Sequence, residues 1–104
     1  TYVNAKVDLT TTNITTLYTC AALTTGIVKS IIVSEDSNNA DTITLTITDA
    51  SSAVFSIYKT KAVSANGTVE LLTAPLVVQA SEILKVTAAT ANRLHVVASI
   101  LEIT

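Results

Sequence analysis

Cysteine, histidine and proline each occur only once in the 104-residue sequence, glycine occurs twice, and methionine and tryptophan are absent. A single cysteine, Cys20, cannot form a disulfide within the chain, which fits a protein made in a reducing compartment. Two glycines are too few for a glycine-rich loop that binds phosphate. Disulfide frameworks, P-loops and dinucleotide-binding turns are therefore excluded.

Charged residues are also scarce, at 13% of the chain, compared with about 25% in ordinary domains. The net charge is −2, and the six lysines and arginines are scattered along the sequence. Nucleic-acid binding needs clustered cations, and a membrane-spanning helix needs about 20 consecutive apolar residues. The aliphatic runs here are short, such as Ile31-Ile32-Val33. We therefore expect neither a nucleic acid nor a membrane as a partner.

Threonine is abundant, with nineteen copies, and valine and isoleucine are frequent. Such β-branched side chains favour extended chain. The segment from Asp41 to Asp49 alternates strictly, with Ile43, Leu45 and Ile47 on one face and threonines on the other. This period of two predicts a half-buried antiparallel strand.

Further strand-like segments follow at short spacing and account for most of the chain. They cover residues 5–9, 14–20, 27–34, 53–61, 69–72, 82–88 and 94–103. Polar turns lie between them, including 35–40 and Asn66-Gly67, where both residues tolerate positive φ. No stretch of ten or more residues has apolar side chains at the spacing of an amphipathic helix. The sequence therefore predicts an all-β antiparallel sandwich or barrel of eight to nine short strands. Residues 13–104 form its single domain, and residues 1–12 form an N-terminal arm or an edge strand.

The last segment differs from the others because both of its faces are largely apolar. One face carries Leu94, Val96, Ala98 and Ile100, and the other carries His95, Val97, Ser99, Leu101 and Ile103. A strand that is apolar on both sides is expected to be covered on both sides. The second cover is either a neighbouring subunit or the chain's own loops.

Two residues could in principle carry catalysis, His95 as a general base or metal ligand and Cys20 as a nucleophile. His95 has no carboxylate near it in sequence, and Cys20 has no adjacent cation to lower its pKa. We interpret His95 as a residue of a subunit contact or a sandwich rim, and Cys20 as a small buried hydrophobe.

Four carboxylates, Glu35, Asp36, Asp41 and Asp49, are loosely clustered in sequence, and Ca²⁺ binds such hard oxygen ligands. The stretch does not match an EF-hand loop, because it lacks the central glycine and has Ile47 where the bidentate glutamate belongs. We interpret it as a solvated hairpin turn. No catalytic, cofactor-binding or metal-binding residue is predicted, and the protein is not expected to be an enzyme.

Several stretches of the sequence resemble a module common in the virion proteins of tailed bacteriophages. They are LYTCAALTTGIVKSIIV at 17–33, ANGTVEL at 65–71, EILKV at 82–86 and LHVVASILEI at 94–103. The resemblance spans nearly the whole chain from Leu17 to Ile103. It departs from the usual pattern at Ala22-Leu23, where Pro-Ala is common, and at Ser81-Glu82, where Gly-Asp is common.

The resemblance implies a jelly-roll-like or immunoglobulin-like β-sandwich that serves as a building block of the virion. It favours a capsid decoration (cement) protein, a homotrimer that bridges subunits of the major capsid protein, assembled in the host cytoplasm. Two alternatives stay open: a collar, tail or baseplate component that binds other virion proteins, and a non-viral ligand-binding β-sandwich. The four aromatic residues of the chain are few for a sugar-stacking surface.

Overall fold

Alternating β-branched and apolar residues produce nine strands in the computed structural model, which describes residues 1–104. The strands are β1 (Tyr2–Asp8), β2 (Thr15–Thr19), β3 (Thr25–Glu35), β4 (Asp41–Thr48), β5 (Val54–Val63), β6 (Thr68–Glu70), β7 (Leu76–Val78), β8 (Ile83–Ala88) and β9 (Leu94–Ile103). The structure has no helix long and apolar enough to span a membrane. The predicted all-β class is confirmed, and each predicted strand segment overlaps one of the observed strands.

The strands pair in a nested order along the chain. β1 pairs with β9, β2 with β8, β3 with both β6 and β7, and β4 with β5, all antiparallel. Sheet A has the order β1-β9-β3-β6, with β7 also on β3, and sheet B has the order β2-β8-β4-β5. This is the strand arrangement of an eight-stranded jelly roll whose sixth strand is split into β6 and β7.

The hydrophobic core lies between the inner faces of the two sheets. Ile43 and Leu45 of β4 are fully buried, as their alternation predicts, and Ile47 packs at the margin of the core. The inner face of β9, from Leu94 to Ile100, has no solvent exposure at all. Burial of each such aliphatic side chain contributes about 1.5–3 kcal/mol, so this layer supplies most of the favourable free energy of folding.

The turn before β6 lies at the predicted position, Asn66-Gly67. Asn66 adopts a left-handed φ of 56°, whereas Gly67 does not have a positive φ. The Gly67 N–H donates to the Ser64 carbonyl, and the Gly67 carbonyl accepts from the Glu35 N–H. These two bonds close the turn with only one left-handed residue.

The first residues of the chain form an edge of sheet A. β1 pairs with β9 along its whole length without a register shift, and its other side has no neighbouring strand. Val3, Ala5 and Val7 pack against the core, and Leu9 is buried immediately after the strand.

Candidate functional site

His95 lies on the outer face of sheet A, where strand pairing surrounds it with carboxylates. Asp8 of β1 is directly opposite it on one side, and Ser34 of β3 on the other. The His95 Nε2 atom lies 3.2 Å from an Asp8 carboxylate oxygen, and Nδ1 lies 3.4 Å from an oxygen of Asp36. Both carboxylates are distant from His95 in sequence, which is why sequence inspection missed them.

The cluster of His95, Asp8 and Asp36 is suited to holding strands together. The two carboxylates approach opposite nitrogens of the ring, so they bind the imidazole instead of converging on a common ligand. Because all three side chains are partly exposed, each of the two contacts contributes about 1 kcal/mol or less.

A shallow depression of about 290 Å³ borders this cluster. It is lined by Lys6, Val7, Asp8, His95, Val96 and Val97.

Cys20 lies in the core, on the other side of sheet A from the His95 side chain. It is almost completely buried, and its thiol donates a hydrogen bond to the Thr24 carbonyl over 3.2 Å. The two residues therefore do not form the Cys–His pair that nucleophilic catalysis uses.

Glu35 joins two loops by accepting four hydrogen bonds. Its carboxylate accepts from the Ser37 N–H at 2.7 Å and from the Ser37 hydroxyl, and it also accepts from the N–H groups of Asn39 at 3.1 Å and Asn66 at 2.9 Å. Burial by itself raises the pKa of this carboxyl group. The four donors outweigh burial and lower the pKa to about 2. Glu35 thus fixes the β3–β4 turn against the β5–β6 turn.

Asp41 and Asp49 also accept backbone hydrogen bonds, each in a different part of the molecule. Asp41 accepts from the Thr90 N–H at 3.1 Å, and Asp49 accepts from the N–H groups of Ser51 and Ala53, both at 2.9 Å. No group of three His, Cys, Asp or Glu side chains in the structure has the geometry to hold a metal ion. Of the four carboxylates, Asp36 lies in the β3–β4 turn, whereas Glu35 ends β3, Asp41 begins β4 and Asp49 follows β4.

Glu70 has a structural role that the sequence analysis did not assign. It lies where β6 ends beside β3, and its carboxylate accepts from the Ile31 N–H at 2.8 Å, the Leu72 N–H at 3.2 Å and the Ser30 hydroxyl. Burial acts to raise the pKa of Glu70, but these donors lower it below its ordinary value. The sequence offers one indication of this role, because Glu70 is the only charged residue in the otherwise apolar stretch 69–72.

Tyr18 connects the two sheets through a contact that was also missed. Its hydroxyl donates to the Glu102 carboxylate of β9 over 2.6 Å. Burial and this carboxylate raise the pKa of the Tyr18 phenol well above its ordinary value. Gly26 makes the contact possible, since a Cβ at that position would lie 2.9 Å from the Tyr18 hydroxyl.

The most distinctive surface is a row of apolar side chains across the outer face of sheet A, here called the apolar row. Strand register aligns Tyr2, Leu101, Ile27 and Val77 from β1 to β7. Tyr2 is 72% exposed and Val77 is 51% exposed, and the two between them are half-buried. The chain's own loops therefore do not cover this outer side of β9.

A second apolar pair, Val97 and Ile32, lies between this row and His95. Their side chains are 41% and 40% exposed. By contrast, the outer face of sheet B presents threonines of β4, such as Thr42, Thr44 and Thr46. Sheet B also exposes two apolar side chains, Val54 at 62% and Phe55 at 56%, but they are neighbours at one end of β5. The apolar side chains of sheet A extend across several strands instead, which makes this face suited to contact with another protein.

No protein-family model matches the chain, and no curated protein matches it in a sequence comparison.

Proposed function

We propose that the chain is a structural protein of a tailed-bacteriophage virion, most specifically a capsid decoration protein that binds the head surface as a homotrimer and bridges neighbouring capsid subunits. The observation that carries the proposal is the open apolar face of sheet A. Stabilising a shell requires buried area between subunits and no chemistry. The apolar row and the Val97–Ile32 pair offer such area on an otherwise lightly charged chain.

The fold and the polar contacts support the same proposal. Jelly rolls form many capsid domains, although they also form lectins, so this support is an analogy of fold. The carboxylates of Glu35, Glu70, Asp41 and Asp49 are engaged in joining loops and strands of the chain itself. Hydrogen bonds of this kind make the domain rigid, as a protein that stabilises a shell against mechanical stress needs to be.

The first experiment is to label purified virions with antibodies against the protein and locate the label by electron microscopy. Label over the head supports decoration, and label on the collar, tail or baseplate would assign the protein to that position instead. Absence from virions would contradict the proposal and favour a ligand-binding sandwich. Light scattering of the purified protein tests the trimer directly, and a monodisperse monomer would overturn an intrinsic trimer.

Heads that lack the protein then allow the binding face to be tested by adding it back. We expect Val77→Asp, which places a charge in the apolar row, to weaken binding to such heads at least about tenfold, because an interface charge would lose its hydration. The matched control is Thr16→Asp, an exposed strand position in sheet B, which should bind like the unmodified protein. Equal weakening by both variants would contradict the assignment of the binding face.

A further inference from the structure

β1 is an edge strand whose outward backbone groups have no partner. The N-terminal nitrogen and carbonyl of Thr1 both bond to Glu102, and the Leu9 N–H bonds to the Leu94 carbonyl. In an antiparallel ladder such bonded positions alternate, so the odd-numbered residues of β1 face β9. The backbone groups of Tyr2, Asn4, Lys6 and Asp8 therefore point to the open edge.

In three of these residues, Tyr2, Asn4 and Lys6, the outward backbone N–H and carbonyl groups have no hydrogen-bond partner. The Asp8 carbonyl accepts from the Thr10 N–H, whereas none of the loop and turn bonds uses a backbone group of Tyr2, Asn4 or Lys6. The edge thus presents six unpaired groups, an N–H and a carbonyl on each of three residues. Such a row is a template for another strand.

The remaining edges of the two sheets are all protected against such pairing. β6 and β7 are three residues long, and β2 has five residues and a register shift. β5 is longer, but it has two register shifts, a left-handed residue at Thr60, and lysines at 59 and 61. Bulges, short strands and lysines are the usual means of blocking an edge. β1 has seven residues in unbroken register, and its charged residues are Lys6 and the terminal Asp8.

We propose that β1 pairs antiparallel with β1 of a second copy of this chain, about a two-fold axis at Asn4, and so joins two copies of sheet A into one continuous sheet. In this register Asn4 faces Asn4 of the partner subunit, and Tyr2 faces Lys6 of the partner subunit. All the free groups then bond, because every outward residue faces another outward residue.

The side chains fit the same register. The Lys6 ammonium lies beside the Tyr2 ring of the partner subunit, which is a favourable cation–π arrangement. The two Lys6 side chains are separated by four residues along the strand, about 14 Å, which exceeds the screening length of about 10 Å at 0.1 M salt. A register centred on Lys6 would leave the outward groups of Tyr2 unpaired and would place the two lysines opposite each other.

The pairing does not rest on the proposed virion function, and it is compatible with a trimer formed elsewhere on the molecule. A strand edge buries less area than the roughly 1,200 Å² of stable interfaces, so the expected dimer is weak and concentration-dependent. Adjacent trimers on a closed shell can meet across two-fold axes, where such a contact would add to their cohesion.

Disulfide trapping tests both the contact and its register. In a Cys20→Ala background, we expect Asn4→Cys to oxidise to a linked dimer at least about tenfold faster than Tyr2→Cys, because only the former brings two Cα atoms to about 5.5 Å. Chains with Tyr2→Cys and chains with Lys6→Cys should cross-link to each other when mixed. Equal rates for Asn4→Cys and Tyr2→Cys would overturn the proposal.

Hydrogen exchange on the unmodified chain provides a second measurement that needs no substitution. The amides of Tyr2, Asn4 and Lys6 should become protected as protein concentration rises, while the amide of exposed Thr16 should not change. Protection that is independent of concentration would also overturn the β1 pairing. Neither measurement involves the capsid, so its failure is distinct from failure of the proposed function.

Discussion

At the scale of single residues, the molecule uses carboxylates as backbone acceptors. Glu35 is the clearest case, because it is buried and yet ionised, with its pKa lowered to about 2 by four donors from two loops. In the sequence, Glu35 is notable only for its neighbours Asp36 and Asp41. The sequence does not show that Asn66, thirty-one residues away, supplies one of the donors.

Glu35 predicts a specific loss of stability in acid. Its folded pKa of about 2 lies below the ordinary value of 4.5, so the unfolded chain binds more protons between these two values. The stabilisation is therefore present above about pH 4.5 and is lost as pH falls through that window towards pH 2. Glu35→Gln should lower stability at neutral pH and flatten this part of the profile, as measured by urea unfolding at a series of pH values.

Ser37→Ala is the matched control for the Glu35 experiment. It removes the hydroxyl donor that lowers the pKa of Glu35 most but keeps the carboxylate and its three backbone donors, so the acid dependence should become smaller without disappearing. Glu70, whose pKa is also lowered, contributes in the same direction in both variants. A Glu35→Gln variant with the full acid dependence of the unmodified protein would contradict the assignment.

Substitutions at Gly26 and Tyr18 are expected to have coupled effects on the free energy of unfolding. Gly26→Ala places a methyl group 2.9 Å from the Tyr18 hydroxyl and 3.1 Å from its ring, and we expect it to cost about 1–3 kcal/mol. Tyr18→Phe removes the bond to Glu102, which costs about 1–2 kcal/mol, but it also relieves part of the clash. The double variant should therefore be more stable than the sum of the single losses predicts. Denaturant unfolding of all four proteins measures this coupling, and strict additivity would contradict it.

At the scale of elements, the sequence located the strands well because alternation is a local property. The segment from Asp41 to Thr48 is a strand in which Ile43 and Leu45 are buried as predicted, whereas Ile47 is only partly buried and Thr48, predicted to face outward, is buried. The segment 94–103 matches β9. The split between β6 and β7 could not be predicted in full. Between these two strands the Glu70 carboxylate accepts from the Ile31 N–H of β3, and this contact depends on where β3 lies.

The orientation of β1 predicts that proline substitution is more destabilising at Ala5 than at the neighbouring Asn4. The Ala5 N–H faces β9, so Ala5→Pro should remove a ladder bond and cost about 2 kcal/mol or more. The Asn4 N–H faces the open edge, so Asn4→Pro should cost at least about 1 kcal/mol less than Ala5→Pro. Thermal unfolding of dilute protein compares the two variants, and equal destabilisation would contradict the assigned ladder.

At the scale of the whole molecule, the nested pairing brings the two ends of the chain together. β1 contacts β9, and β2 contacts β8, so most strand pairs join residues far apart in sequence. Only β4 and β5 form a local hairpin within sheet B. Closing the long intervening loops costs entropy before the distant contacts stabilise the chain.

This topology predicts slow folding. We expect refolding in milliseconds to seconds, as in other all-β domains with many distant contacts. Stopped-flow fluorescence of the tyrosines after dilution from urea measures the rate. Refolding within microseconds would be incompatible with the nested order of strands.

The sequence by itself determined the class of fold, the strand positions and the inner faces, because β-branched composition and the period of two act between near neighbours. It also indicated that β9 has a second apolar face. Tertiary structure alone decided the jelly-roll order, the carboxylates around His95, the apolar row from Tyr2 to Val77, and the open edge of β1. Each of these depends on which strand lies beside which, and many pairings satisfy the same alternation pattern, so only the packed core selects one of them.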